Sequence, residues 1–227
     1  LDNLTRNNPN TIFVASFHDA DILETVATDQ LKAALPGGAT TGYPSASINR
    51  NDLSGSRFIT FSDYENMIGM CMQQSAKCGL AISSAVNGRT ASITVMAGFN
   101  EAMTGDYTMN VYLVESNVMD KDGSLAQANN FNANKITSFY NMGNPITGYV
   151  HQNVVRRMIT PLTGMPISAS KLVPGGIATE RFSIDLPLNA ELGNCSIIAF
   201  VTKVTNGVAD NICNVQMTPL GSVKTWD

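Results

Sequence analysis

The stretch Thr41-Gly42-Tyr43-Pro44-Ser45-Ala46-Ser47-Ile48-Asn49-Arg50 decides how the first third of the chain is read. It is a Gly-aromatic-Pro turn running into a short strand, Ala46 to Ile48. Before it, Leu1 to Asn8 reads as the last turns of a helix stopped by Pro9. Thr11 to Phe17 is a near-continuous apolar, β-branched and aromatic run, the pattern of a strand buried on both faces. Leu23, Val26, Leu31 and Leu35 suit a helix ended by Pro36-Gly37-Gly38. After the stretch, Arg57 to Phe61 is a second short strand, joined to the first by a polar turn with Asp52 and Gly55. Ser62 and Glu65 have the spacing of a capping box. Met67, Ile68, Met70, Cys71 and Met72 give the helix that follows an apolar face, and Lys77 with Gly79 marks its end.

The order strand, helix, strand, strand, helix is the C-terminal part of a thioredoxin-like topology, in which a Gly-aromatic-Pro loop faces the redox cysteines. Here no Cys occurs before Cys71. Residues 1–78 are therefore expected to form a partial thioredoxin-like α/β domain lacking its first strand and redox motif, the opening strand and the first half of the first helix falling before Leu1. The agreement of the whole topology favours a cis Tyr43-Pro44 bond. In that form Pro44 presents a backbone edge for an extended peptide, so Tyr43 and Pro44 are binding candidates; the plain alternative is an ordinary turn.

After Gly79 the pattern changes. Leu80 to Ser84 and Thr90 to Ala97 flank Asn87-Gly88, a strong hairpin signal. Tyr107, Met109, Val111 and Leu113 alternate with polar partners, as do Phe182, Ile184, Leu186 and Leu188. Ser196 to Val204 and Asn211 to Met217 flank Asn206-Gly207. Residues 79–227 are expected to form an antiparallel, immunoglobulin-like β-sandwich, making the chain a two-domain α+β protein. Met119 to Gly148, rich in Asn, Gly and Ser, reads as a long insertion of the kind that carries function.

Of 227 residues, 14% are charged and 44% hydrophobic, with a formal charge of -4. That describes a packed protein with no global attraction for nucleic acid. The basic pair Arg156-Arg157 points to opposite faces of a strand. No apolar run is long enough to span a bilayer as a helix. Leu1 to Asn10 is polar and has no signal-peptide pattern, and because Leu1 is not an initiator Met the chain reads as a mature or partial product. Four cysteines without a CxxC, and two histidines, argue against a zinc site. In a continuous helix, Cys71 and Cys78 would lie ~10 Å apart along the axis. Cys195 and Cys213 could bond only if a bulge brought them together. No P-loop, dinucleotide fingerprint or nucleophile elbow is present, and no cofactor is expected.

Three further residues are binding candidates. His18 ends the first apolar run beside Asp19-Ala20-Asp21, at the rim of the Pro44 loop; its plain reading is a hydrogen-bonded strand-end histidine. His151 and Arg156 belong to Tyr149-Val150-His151-Gln152-Asn153-Val154-Val155-Arg156. In an extended strand His151, Asn153, Val155 and Arg157 share one face. A half-exposed strand face is the favoured explanation of that pattern over a polar binding surface. Asp120-Lys121-Asp122-Gly123-Ser124 is a fragment of a calcium loop, but position 12 is Phe131 where an EF-hand needs Glu.

Gly42-Tyr43-Pro44-Ser45 running to Ile48-Asn49-Arg50, and Tyr149-Val150-His151 running to Val155-Arg156, resemble the Omp28-related outer-membrane lipoproteins of Bacteroidetes. Asn87-Gly88-Arg89, Phe99-Asn100 and Val111-Tyr112-Leu113-Val114-Glu115 are similar to the start of that family's C-terminal domain. The resemblance implies a lipid-anchored protein of the outer membrane, at the cell surface or periplasmic face, with a thioredoxin-like domain followed by an immunoglobulin-like one. The lipid-bearing Cys would lie upstream of Leu1. The expected function is a noncatalytic binding or assembly module whose partners are envelope or outer-membrane proteins. The alternative is a thiol-disulfide oxidoreductase with its CxxC upstream of the chain.

Overall fold

The structure, a computed structural model, describes residues 2–35, 37–38, 42–52, 57–119 and 124–227. Its helices are α1 (Asp2–Asn7), α2 (Val26–Ala34) and α3 (Tyr64–Met72). The strands are β1 (Gly79–Asn87), β2 (Thr90–Gly98), β3 (Asp106–Glu115), β4 (Val118–Met119), β5 (Val150–His151) and β6 (Val154–Met158). They continue with β7 (Met165–Pro166), β8 (Ile177–Asp185), β9 (Cys195–Thr205), β10 (Val208–Pro219) and β11 (Val223–Lys224). Two main antiparallel sheets run β11-β1-β2-β8 and β10-β9-β3-β6, with β7 also paired to β3, and β4 pairs with β5 in a separate two-stranded ladder. The protein is thus mostly antiparallel sheet.

Alternation builds the space between the sheets. Leu80 and Ile82 of β1, Ile93 and Val95 of β2, Met109, Val111 and Leu113 of β3, and Ile197, Ala199 and Val201 of β9 form one buried cluster. The turns follow from their residues. Between β9 and β10, Asn206 and Gly207 both take positive φ (52° and 77°), as a type I′ loop requires. The first hairpin sits one residue later than its sequence signal. Asn87 is still paired with Thr90, so the loop is Gly88-Arg89, with Gly88 at φ 58°.

The five-stranded sheet is buried on its other face too. Every residue of β3 from Tyr107 to Glu115 is buried, where alternation predicts a polar face. Tyr112, Val114, Val155, Ile198 and Phe200 make a second cluster there, covered by Ala15 and Phe17. The ring of Phe17 meets Tyr112 edge-on at 5.9 Å, and Tyr112 meets Phe200 at 5.2 Å.

Two arginines fasten this covering layer. Arg50 is buried at φ 52°; it donates to Ala209 O (2.9 Å) and to the Tyr112 hydroxyl (2.6 Å). Its guanidinium lies 5.1 Å from the centre of the Phe200 ring. Arg57 pairs with the buried Asp210 at 2.6 Å. The backbone joins in where Ile212 N donates to Asn49 O at 2.8 Å.

Several local expectations are corrected. Thr11 to Phe17 is not a strand buried on both faces. Phe13 to Phe17 is only half-buried, and its single bridge is the parallel one between Ser16 and Val154. Ala46 to Ile48 and Arg57 to Phe61 meet only at the Ala46–Ile59 bridge. Among the described residues before Gly79, pairing never extends beyond single bridges, because that segment lies on an existing sheet and does not build its own. The Ser62–Glu65 capping box is absent. A 3-10 turn over Phe61–Asp63 makes Asp63 the N-cap, without a side-chain cap bond, and Ser62 Oγ lies 3.0 Å from Thr60 Oγ1. On α3 only Ile68 is buried, while Met70 and Met72 are exposed.

The four cysteines are free. Cys195 lies beside Glu115 at the start of β9, whereas Cys213 occupies a bulge opposite Val201 and Thr202. The bulge therefore forms at the wrong end of β9 to join the two cysteines. The calcium-loop fragment at Asp120, Lys121, Asp122 and Gly123 lies outside the described residues, as do Pro36 and Gly55.

The C-terminal segment closes the four-stranded sheet. Gly79 and Gly98 are directly paired, leaving room for the Trp226 ring; a Cβ on either would lie 3.2–3.4 Å from it. Asp227 completes the closure, accepting from Leu80 N (2.8 Å) and Asn214 Nδ2 (3.0 Å).

Candidate functional site

The residues singled out in the sequence fall into two places. His18 and His151 come together: their rings stack edge-on at 4.9 Å, and Tyr149 meets His151 at the same distance. Local geometry explains this. The Ser16–Val154 bridge sets His18 alongside the chain entering β6, while Asn153 takes φ 54° and breaks the strand between β5 and β6. That break removes the common face expected for His151, Asn153, Val155 and Arg157. It turns His151 inward, to 4% exposure, in place of a half-exposed strand face.

His151 Nε2 lies 2.8 Å from Leu125 O. A carbonyl only accepts, so Nε2 carries the proton in that bond. His18 Nδ1 pairs with Asp21 Oδ2 at 2.7 Å, and Thr28 Oγ1 of α2 donates to His18 O at 2.7 Å. The pair is thus fixed by the N-terminal layer on one side and the insertion on the other.

Next to His18 along the chain, Asp19 links this pair to Tyr43. Its carboxylate is held below its ordinary value, first by a hydrogen bond from Tyr43 and then by Lys32. Lys32 Nζ lies 2.9 Å from Asp19 Oδ1 and 5.9 Å from the centre of the Tyr43 ring. Burial, followed by the bond to Asp19, raises the Tyr43 phenol, and hydrogen bonding to Asp19 raises the Lys32 ammonium. Asp19 and Lys32 were not singled out as binding residues. Lys32 carries no signal beyond being a cation on a helix.

The Tyr43-Pro44 bond is cis, as the topology favoured. Gly42, Tyr43, Pro44, Ser45, Phe58, Ile59, Thr60 and Phe131 line a cleft of about 290 Å³. Phe131 belongs to the insertion, and Asn130 Nδ2 donates to Tyr43 O at 3.0 Å, so the insertion forms one wall.

Arg156 lies apart from this group. It pairs with Glu115 at 2.9 Å, both side chains nearly buried, and donates to Asn189 Oδ1 at 2.7 Å. The other Glu115 oxygen accepts from Glu191 N at 2.7 Å. The charge expected on a solvent-facing strand is therefore neutralised inside a structural network. Arg156 and Arg157 also line a second cleft, of about 280 Å³, with Gln30 of α2 and Pro161.

Asp19, Glu24 and Asp29 place carboxylate oxygens within 4.8 Å of one another, a set that could hold a cation. Two of the three already have partners: Lys32 for Asp19, and Ala20 N, which donates to Glu24 Oε2 at 2.8 Å.

The lowered Asp19 carboxyl makes a prediction for acid. Its contribution to stability is present above the unfolded carboxyl value of 3.8 and is lost as pH falls through the lower folded value. Asp19→Asn is expected to flatten the stability curve below that value. Denaturant midpoints measured from neutral pH into acid check it; parallel curves for both proteins would refute it.

The sequence profile of the family described as "Outer membrane protein Omp28" matches residues 37–224. The chain therefore belongs to this family of outer membrane proteins, and its location is the outer membrane. A crystal structure of a domain of the outer membrane lipoprotein Omp28 from Porphyromonas gingivalis is similar at 17% identity with a TM-score of 0.40. The likeness covers 65% of this chain and 91% of that one. No curated protein matches the chain. No helix among the described residues is long and apolar enough to cross a membrane.

Proposed function

We propose that this protein is a noncatalytic binding or assembly module of the cell envelope, held at the outer membrane by a lipid anchor. Its partner is another envelope or outer-membrane protein, engaged by an extended segment laid along the Tyr43-Pro44 cleft and the insertion. One observation carries this reading: the insertion builds one wall of the cleft through Phe131 and Asn130, and the same insertion carries exposed apolar side chains. Tyr43 is half-exposed at the cleft, and Met119, Ile136, Tyr140 and Met142 stand exposed on the insertion, Ile136 at 85%. Exposed apolar side chains on a segment that also walls a preformed cleft favour that segment as the contact surface.

Within this reading the sandwich from residue 79 onward is an immunoglobulin-like scaffold, supported by its two facing antiparallel sheets. Residues 1–78 are a thioredoxin-like remnant serving as a docking layer, supported by the Tyr43-Pro44 turn. The His18–His151 stack, with the bond from His151 to Leu125 O, joins the layer to the insertion.

The test replaces Ile136 and Met142 with serine together and compares cross-linked envelope partners with those of the unchanged protein. Loss of the cross-linked species with an unchanged unfolding midpoint is the expected result. Equal recovery would overturn the choice of surface.

A further inference from the structure

Cys78 and Cys213 are remote in sequence but adjacent in the fold, and the function proposed above uses neither. Lys77 N donates to Cys213 O at 3.4 Å, and Asn214 Nδ2 donates to Cys78 O at 2.7 Å. The backbone entering β1 is thus laced to the bulge of β10 on both sides of the two cysteines. Both side chains pack into the inter-sheet cluster, Cys78 within it and Cys213 against it. Cys195 is excluded by its place beside Glu115.

The geometry points to a Cys78–Cys213 disulfide as an oxidised form of this protein, stapling the segment after α3 to β10. The outer membrane lies outside the reducing cytoplasm, in surroundings where disulfides persist. The oxidant is a disulfide compound. The half-buried Cys213 thiolate attacks one of its sulfurs, forming a mixed disulfide and releasing one thiol. The Cys78 thiolate then attacks the Cys213 sulfur and releases the second thiol. Two protein thiols become one disulfide, and the external disulfide is reduced to two thiols.

Burial pushes the Cys78 thiol up to about 12, so the second step is slow in the folded chain and proceeds during folding. That makes the bond a structural staple and not a redox centre.

The experiment refolds the denatured, reduced chain in a buffer of reduced and oxidised glutathione, then alkylates and digests it. The expected result is loss of two of the four thiols, with the Cys78 and Cys213 peptides joined. The oxidised form should also show a higher urea midpoint that falls on adding reductant. Cys213→Ser, at a half-buried bulge, should fold and show no response to reductant. Four free thiols after refolding, glutathione adducts alone, or a bond to Cys71 or Cys195 would each overturn the assignment.

Discussion

Arg50→Ala is expected to destabilise the protein by about 3–5 kcal/mol, because it leaves the Tyr112 hydroxyl and Ala209 carbonyl buried without a donor and removes the cation from Phe200. Tyr112 is almost wholly buried between Phe17 and Phe200, so water cannot readily replace the lost partner. The backbone at Arg50 adds a second handle. Its φ of 52° disfavours any residue with a Cβ, so Arg50→Gly should be about 1–2 kcal/mol less harmful than Arg50→Ala. Urea unfolding of the three proteins checks both statements. Equal midpoints for alanine and the unchanged protein would mean that Arg50 does not fasten the covering layer. The loss should also loosen the N-terminal layer first, seen as faster hydrogen exchange at the amides of Ser16 and Val155 than at those of β2.

Gly164→Ala should be nearly as damaging, at about 2–5 kcal/mol, combining a left-handed backbone with overpacking. Gly164 has φ 76°, and a Cβ there would lie 2.6 Å from Thr108 Oγ1, 2.7 Å from Thr108 Cβ and 2.9 Å from Asn110 Nδ2. These groups cannot move freely. Thr108 and Thr202 hydroxyls are 2.8 Å apart, and Asn110 Nδ2 donates to Thr202 Oγ1 at 3.0 Å, all buried. Shifting Thr108 therefore breaks a polar trio as well as a contact. Thr108→Ala in the Gly164→Ala background should recover part of the loss. A double-mutant cycle showing additive losses would place the cost in the backbone alone.

Much of the sandwich was legible because its information is local. Asn206-Gly207 specifies the β9–β10 hairpin by turn chemistry, and β2 shows its buried face every second residue. The outer layer was not legible, because its contacts join distant residues. Arg50 finds Tyr112 across 62 positions and Arg57 finds Asp210 across 153. Without those pairs, Thr11 to Phe17 looks like a central strand, although it only borders one. β3 misled for the complementary reason: Tyr112 looks solvent-facing until the covering segment is in place, and Asn110 until Thr202 and Gly164 are beside it.

The site divides in the same way. His18, His151, Tyr43 and Pro44 were visible as unusual residue types, but the contact between the two histidines depends on the Asn153 break. Arg156 was legible as a charge, while its neutralisation by Glu115 depends on strand pairing. Asp19 was visible only as a neighbour of His18, and its pairing with Lys32 gave no signal, since a salt bridge between a loop and a helix has no fixed spacing.

The chain has one tryptophan, Trp226, seated on the Gly79–Gly98 pair. Its emission consequently reports a single spot, the seam between the C-terminal tail and the first hairpin. A stepwise loss of structure would be read there without labelling: an early red shift means the tail peels away first, a late one that it holds until the sheets separate. The same spot borders the Asn214–Asp227 contact beside Cys213. A built-in optical probe thus sits beside the region where the thiol pair would close.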